Sequence, residues 1–303
     1  MTNSDWFGLL NLDKPGGITS RDAVNRVQRL LRGVKVGHAG TLDPLAEGVL
    51  VLGLGPATRL VEYVQRMPKE YRGTFLLGRS SDTEDIQGQV EFLDDSPEIS
   101  ADQLRQALPA FLGSIQQRPP QYSALKVQGK RAYDLARQGE KVELAPRSVR
   151  IDELELTDYQ PPEFRLRIRC GSGTYVRSLG RDIAEALGSA AVMSALERTA
   201  IGPFRRENAL SLETLSEETL RQHLQPPELA LAELPRLTLS DRQVEDISHG
   251  RTIACEEIAC EEIAAVDGQG RLRAILTPRG RGRLKPARVF PSSGSQSEPG
   301  RIE

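Results

Sequence analysis

Apolar and polar positions along this chain repeat with two different periods. The clearest is at "FRLRIRC", where Phe164, Leu166, Ile168 and Cys170 fall on one side and Arg165, Arg167 and Arg169 on the other. A period of two predicts a half-buried strand. "YRGTFLLG" alternates in the same way through Tyr71, Gly73, Phe75 and Leu77. "GVLVLGLG", from Gly48 to Gly55, is almost continuously apolar and reads as a buried strand. Helical spacing occurs at Val24, Val27 and Leu31, behind an N-cap at Thr19-Ser20 and ahead of Gly33 as a stop. Ser100 and Gln103 form a capping box before Leu104, Leu108, Phe111 and Leu112; Pro109 kinks that helix and Gly113 ends it. Another helix follows "GSGTYVR" and runs through Ile183, Ala186 and Leu187 to Gly188. Helices interleaved with alternating strands predict an α+β fold, with an antiparallel or mixed sheet covered by helices on one face.

Between these elements, "GRSSDTEDIQG" is polar and turn-rich, and is expected to be exposed. The paired prolines of "RPPQYSALKVQGKRAY" hold the backbone extended. "QPPELALAELPRL", Gln225 to Leu237, reads as a linker. Roughly 50 ordered residues follow, near the lower limit for an independent domain, so they are expected to lean on the main body. The expected division is 1–230, 231–290 and a disordered tail at 291–303 with the composition "PSSGSQSEPGRIE". "ACEEI" occurs twice in tandem, at Ala254–Ile258 and Ala259–Ile263, a local duplication that lengthens one loop or helix.

Composition narrows the class. The chain has 303 residues, 38% of them hydrophobic and 27% charged, which suits a globular protein. No stretch approaches the ~20 apolar residues of a membrane helix. The N-terminus lacks a basic n-region, so no signal peptide and a cytoplasmic location are expected. Cys170, Cys255 and Cys260 make no even framework and no zinc spacing with His38, His223 or His249. Neither a disulfide nor a metal is expected. The formal net charge of −2 argues against wholesale nucleic-acid binding, but Arg271 to Arg288 holds seven basic residues and no acid. Such a stripe either steers a polyanion or forms a solvated edge.

Candidate chemistry gathers at "VGHAGTLDPLAEGVLVL". Pro44 pushes Asp43 out of the helical region and presents a short, stiff carboxylate from a glycine-rich loop. Such a group can serve as nucleophile or general base; an aspartate in an ordinary turn is the commoner outcome. Arg177, in "GTYVR", can pair with Asp43 and hold it as the anion. Tyr71 and Tyr175 offer faces on which an unstacked base can rest. Walker, GxGxxG, GxSxG and HExxH motifs are missing. The chemistry is therefore what one carboxylate supports, or binding alone.

"GLLNLDKPGGITSRDAV", "KVGHAGTLDPLAEGVLVLGLGPATRL", "KEYRGTFLLG", "SDTEDIQG", "QRPPQYSALKVQGKRAYDLARQGE" and "CGSGTYVRSLGRDIAEALG" occur in that order, over about residues 7–210. Together they resemble tRNA pseudouridine synthases of the bacterial TruB type, which make pseudouridine 55 in the T arm of tRNA. The resemblance implies the pseudouridine synthase fold, a mixed, largely antiparallel sheet flanked by helices, followed by a small PUA-like RNA-binding β domain. It implies that Asp43 is the catalytic aspartate and that Arg177 salt-bridges it. Tyr71 stacks on the target base and is the candidate for removing the C5 proton. Asp85 joins the same charge network, and Tyr175 and Leu196 form the wall. His38 fills space left by flipped bases; Lys14 and Thr41 lie in the matching "DKP" and "GTLDP" segments. The partner implied is the tRNA T stem-loop, met by a monomer without cofactor. Where the family commonly has "LRR", this chain has "LER": Glu197 replaces one base, and Arg198 is expected to keep the second phosphate contact. A tRNA-folding chaperone, and a synthase acting on another RNA uridine, are the alternatives.

Overall fold

The structure is a computed structural model that describes residues 6–122, 126–127, 130–131, 144–255, 260–280 and 282–291. Most of "SALKVQGKRAYDLARQGE", residues 256–259 of the ACEEI duplication, Arg281 of the basic stripe and the expected tail from 292 onward lie outside the described residues.

The first strands are β1 (Gly8–Lys14), β2 (Val36–His38), β3 (Glu47–Leu54), β4 (Lys69–Leu77), β5 (Arg79–Ser81), β6 (Val90–Phe92) and β7 (Gly113–Gln117). Next come β8 (Lys126–Val127), β9 (Lys130–Arg131), β10 (Arg147–Gln160), β11 (Glu163–Cys170), β12 (Ala191–Ile201), β13 (Phe204–Arg205) and β14 (Leu210–Ser211). The last are β15 (Arg236–Thr238), β16 (Ile253–Ala254), β17 (Ile263–Val266), β18 (Leu272–Pro278) and β19 (Arg283–Val289). The helices are α1 (Ser20–Leu30), α2 (Val61–Arg66), α3 (Ala101–Ala107), α4 (Val176–Ala186), α5 (Glu217–Gln222) and α6 (Asp241–Ser248).

One large sheet runs β14-β1-β3-β12-β4-β11-β10-β7, with β2 on β3 and β13 on β12. Among the described residues of this sheet only β1–β14 and β3–β12 pair in parallel, so of the two arrangements the patterning left open the sheet is the mixed one, largely antiparallel as the resemblance implies. On β11 the four apolar positions are buried, and Arg165 and Arg167 meet Asp158, Glu153 and Glu155 across the strand pair. The helix starts follow local chemistry: Thr19 and Ser100 both form capping boxes, with Asp22 and Gln103.

Three expectations need correction. Helices do not cover one face alone. At β1 and β3 both faces are buried: Leu10, Leu12, Leu50 and Leu52 pack on α1, while Leu9, Val49 and Val51 pack on α2 and the second sheet. That is why "GVLVLGL" has no polar alternation. The linker is no free tether. Gln225 exchanges backbone hydrogen bonds with Leu9, and Pro227, Ala230 and Leu231 are buried. The "GRSSDTEDIQG" loop is not simply exposed, because Asp85 is only 3% accessible.

Five strands between Arg236 and Val289 form the second sheet, ordered β15-β17-β18-β19-β16. It has its own core around Ile247, Ala265, Leu276 and Leu284 and lends Ile275 and Phe290 to the shared one. Phe290 stacks on Phe7 with ring centroids 5.6 Å apart, and Tyr63 Oη donates to Glu262 at 2.7 Å. It therefore leans on the main body as expected.

Candidate active site

The Asp43 loop connects β2 to β3 and is held from several sides. Leu42 N donates to Ser20 Oγ at 2.8 Å, and that hydroxyl donates back to Leu42 O at 3.0 Å. Gly17 N bonds Pro44 O at 2.8 Å and Ala46 N bonds Asp43 O at 3.1 Å. The loop closes at Gly48, where φ is +99° and a Cβ would collide with the Arg198 carbonyl. Both the turn and the close approach require glycine.

Arg177 enters from the first turn of α4. The backbone just before it is pinned by the buried Gln117, whose amide accepts from Tyr175 N at 2.8 Å and donates to Tyr175 O at 3.0 Å. Arg177 Nη2 lies 3.0 Å from Asp43 Oδ2 and Nη1 lies 3.4 Å from Asp85 Oδ2. The same guanidinium donates to Thr83 O at 2.6 Å and Tyr122 O at 3.2 Å. Its side chain is 8% exposed and that of Asp43 is 40% exposed. One end of the pair is locked in protein and the other opens to solvent.

Asp85 also accepts from Thr83 Oγ1 at 2.6 Å and Gln87 N at 3.0 Å. Its neighbour Glu84 sits in the left-handed region at φ 63°. The Glu84 carboxylate takes a hydrogen bond from Ser178 Oγ at 2.6 Å and pairs with Arg181. Burial pushes the Glu84 carboxyl up, against the opposing pull of Arg181 and Ser178. These side-chain bonds to α4 offset the conformational cost of the turn.

Tyr71 and Leu196 lie on the inward faces of β4 and β12 and share a core cluster with Leu42. Burial raises the Tyr71 phenol above its ordinary value, and Arg198 opposes that shift. Tyr175 is half-buried with the Arg147 guanidinium 4.6 Å over its ring. His38, on β2, is half-buried; burial lowers its pKa, and its Nδ1 has no hydrogen-bond partner among the described residues. Thr41 is exposed on the loop. Lys14 is fully buried, and its ammonium is engaged by Pro15 O at 2.9 Å and Ile18 O at 2.8 Å. Desolvation lowers its pKa to about 8, so its visible work is to hold the turn beside the site.

Residues 28–176 match the model of the TruB family pseudouridylate synthase N-terminal domain, and residues 177–232 match the tRNA pseudouridylate synthase B C-terminal domain. The chain belongs to the TruB family. It is 41% identical over 288 residues to the tRNA pseudouridine synthase B of Dehalococcoides mccartyi strain 195, covering 93% of this chain and 96% of that one. With the same enzyme of Arthrobacter sp. strain FB24 it shares 41% over 303 residues, 95% and 98% of the two chains. Among solved structures, a Cbf5–Nop10–Gar1 complex superposes with a TM-score of 0.75 at 27% identity, over 96% of this chain and 87% of that one. An H/ACA ribonucleoprotein bound to a substrate RNA containing 2′-deoxyuridine does so with 0.74 at 26%, with the same coverage.

The departure of this TruB chain at "LER" has a structural reason. Glu197 lies 2.8 Å from Arg206, which also binds Glu47 at 2.8 Å and Asp13 at 3.1 Å. The carboxylate thus belongs to a clamp joining β1, β3 and β12. Arg198 is not the surface phosphate contact expected for it: it is 2% exposed and donates to Val49 O and Gly40 O. Ser20 and Gln117 carry no site signal in the sequence, and Arg198 reads there only as a phosphate contact. Their partners lie between 22 and 158 positions away, so only folding brings them to the site.

Proposed function

We propose that this chain converts uridine 55 in the T arm of tRNA to pseudouridine, with Asp43 as the catalytic carboxylate. The observation that carries the reading is the half-open Asp43 carboxylate 3.0 Å from a buried guanidinium, in a chain of the TruB family. A module that only bound RNA would have no use for a carboxylate aimed at a polyanion.

The reaction breaks N1–C1′, turns the uracil and joins C5 to C1′. The C5 proton leaves and N1 gains one; nothing is oxidised and nothing departs. Attack by Asp43 on C1′, attack on C6, and assisted elimination to a glycal all start from the same oxygen. The uracil must leave its stack to be reached, at a cost of a few kcal/mol. Tyr71, Tyr175 and His38 offset that cost by stacking on the flipped base and filling its place.

Arg279, Arg283 and Lys285 are exposed on the second sheet and suit phosphate contacts. Arg271 and Arg288 are engaged by Asp267 and Glu62, so the basic stripe acts only in part. The reading places a monomer in the cytoplasm; no helix among the described residues is long and apolar enough to cross a membrane.

The test is incubation with unmodified tRNA and carbodiimide mapping of pseudouridine. Asp43→Asn should abolish product at position 55 while tRNA binding stays near wild type. Continued isomerisation by that variant removes the assignment.

A further inference from the structure

Arg198 lies beneath both halves of the site. On β12 it stands directly opposite Tyr71 of β4 in the strand register, close enough for its charge to bear on the Tyr71 phenol. A register shift follows between Arg198 and Ala200, a local irregularity of the kind that re-aims side chains next to active sites. The same guanidinium donates from Nε to Val49 O at 2.8 Å and from Nη2 to Gly40 O at 3.2 Å. Gly40 and Val49 bracket the Asp43 loop. Among the described residues no carboxylate lies within salt-bridge distance of Arg198, which is 2% exposed. A buried cation without a counter-anion is costly to keep. Its charge is best used where an anion forms beside it.

We infer that Arg198 is a positioning residue of the reaction: its guanidinium ties the Tyr71 phenol to the Asp43 loop and stabilises the phenolate that takes the C5 proton. This rests on the reading of Asp43 and Tyr71 given above. Once C5 is joined to C1′, the C5–H pair forms the C5=C6 bond and the N1=C6 π pair moves to N1. The proton goes to the Tyr71 oxygen, and N1 takes one from solvent, so the atoms balance. The charged or titratable groups around Tyr71 are Arg198 from β12, Cys170 from β11, Asp43 from the loop and Lys69 on its own strand. Lys14, on β1, faces Arg198 and Asp43 in turn. Cys170 is held as the thiol, pushed up to about 11 by burial, so Asp43 is the anion that opposes phenolate formation and Arg198 the cation that favours it.

The experiment measures single-turnover isomerisation of tRNA carrying deuterium at uridine C5, for the whole enzyme, Arg198→Lys and Tyr71→Phe. Arg198→Lys keeps a cation but loses the fork that spans phenol and loop. It should slow turnover by about tenfold or more. Its C5 isotope effect should rise as proton removal becomes limiting, and the rising limb of its pH–rate profile should move to higher pH. Replacing Tyr71 by 3-fluorotyrosine, a more acidic phenol, in the Arg198→Lys background should recover part of the rate. A rate loss that tracks the drop in Tm, with the isotope effect and pH limb unchanged and no recovery by fluorotyrosine, overturns the inference. Tyr71→Phe separates the two claims: if it turns over at the wild-type rate, the assignment of Tyr71 as base fails, whatever Arg198→Lys does.

Discussion

Replacing Arg177 by Met probes the centre of the site, and its consequences follow from burial. The guanidinium faces two carboxylates of unequal exposure: Asp85 at 4% and Asp43 at 40% of side-chain surface. Removing one partner of a buried pair costs about 3–5 kcal/mol, because the remaining charge is left uncompensated. That applies to Asp85. Asp43 is rehydrated when its partner goes, so its share is about 1 kcal/mol or less. The bonds to Thr83 O and Tyr122 O add roughly 1 kcal/mol each where their carbonyls stay dry. Asp85 keeps Thr83 Oγ1 and Gln87 N, which offset part of the loss. The sum is about 4 kcal/mol, read as a lowered urea midpoint at unchanged m-value. In Arg177→Met/Asp85→Asn the stranded charge is gone, so the double variant should be more stable than the sum of the singles by about 1.5 kcal/mol or more. Simple additivity would refute the claim that Asp85 is a charged partner. Arg177→Lys keeps one cation but cannot span both carboxylates and both carbonyls. Its turnover on unmodified tRNA should fall by about 10²-fold, the order seen for small misplacements of reacting groups. Full turnover with an unchanged midpoint in that variant contradicts the geometry.

Two further outcomes follow from charges behind the site. Desolvation lowers the pKa of Lys69 from 10.5 to about 8, and its ammonium is engaged by Met67 O at 2.7 Å and by Gln65 O. Between those values the unfolded chain binds the proton and the folded chain does not, so this residue's contribution rises with pH across the window and is lost as pH falls through 8. Wild type should gain up to about 3 kcal/mol on Lys69→Met between pH 8 and 10.5, measured by urea unfolding; a pH-independent gap discards the idea. Glu197→Arg restores the base common in the family but sets it against Arg206 and Arg72. It should destabilise the protein by about 1 kcal/mol without tightening tRNA binding, and a tighter complex in filter binding contradicts the clamp.

What was legible in the sequence is what short-range physics determines. The alternation of "FRLRIRC" places Phe164, Leu166, Ile168 and Cys170 inside because a strand has period two, whatever surrounds it. Thr19 and Ser100 cap their helices through atoms three residues away. What was not legible depends on distant partners. "SDTED" reads as exposed by composition, yet Asp85 is buried because Arg177, 92 positions later, reaches it. Arg198 reads as a surface base because its acceptors, Gly40 O and Val49 O, are 158 and 149 positions away. In "PPELALAELP" the prolines signal a break in regular structure, which is present; they say nothing of the groove that takes up Ala230 and Leu231.

The arginines around the site solve one problem in common. Part of its lining is irregular loop, whose carbonyls have no ladder to join, and its chemistry needs acids that would repel an RNA backbone. Guanidinium groups meet both needs, because a planar fork of five donors binds a carboxylate on one edge and a carbonyl on the other. Arg177 does this for Asp43, Asp85, Thr83 O and Tyr122 O. Arg181 does it for Glu84, Asp182 and Arg118 O. Every acid in these two sets is thereby compensated within the protein, so the cleft presents little bare negative charge to an approaching polyanion although the chain as a whole is at −2. Arg198 differs: it donates to the carbonyls of Val49 and Gly40, and it stands opposite Tyr71 in the strand register. A buried cation with no acid opposite it among the described residues, set beside Tyr71, marks the place where the reaction itself supplies the anion.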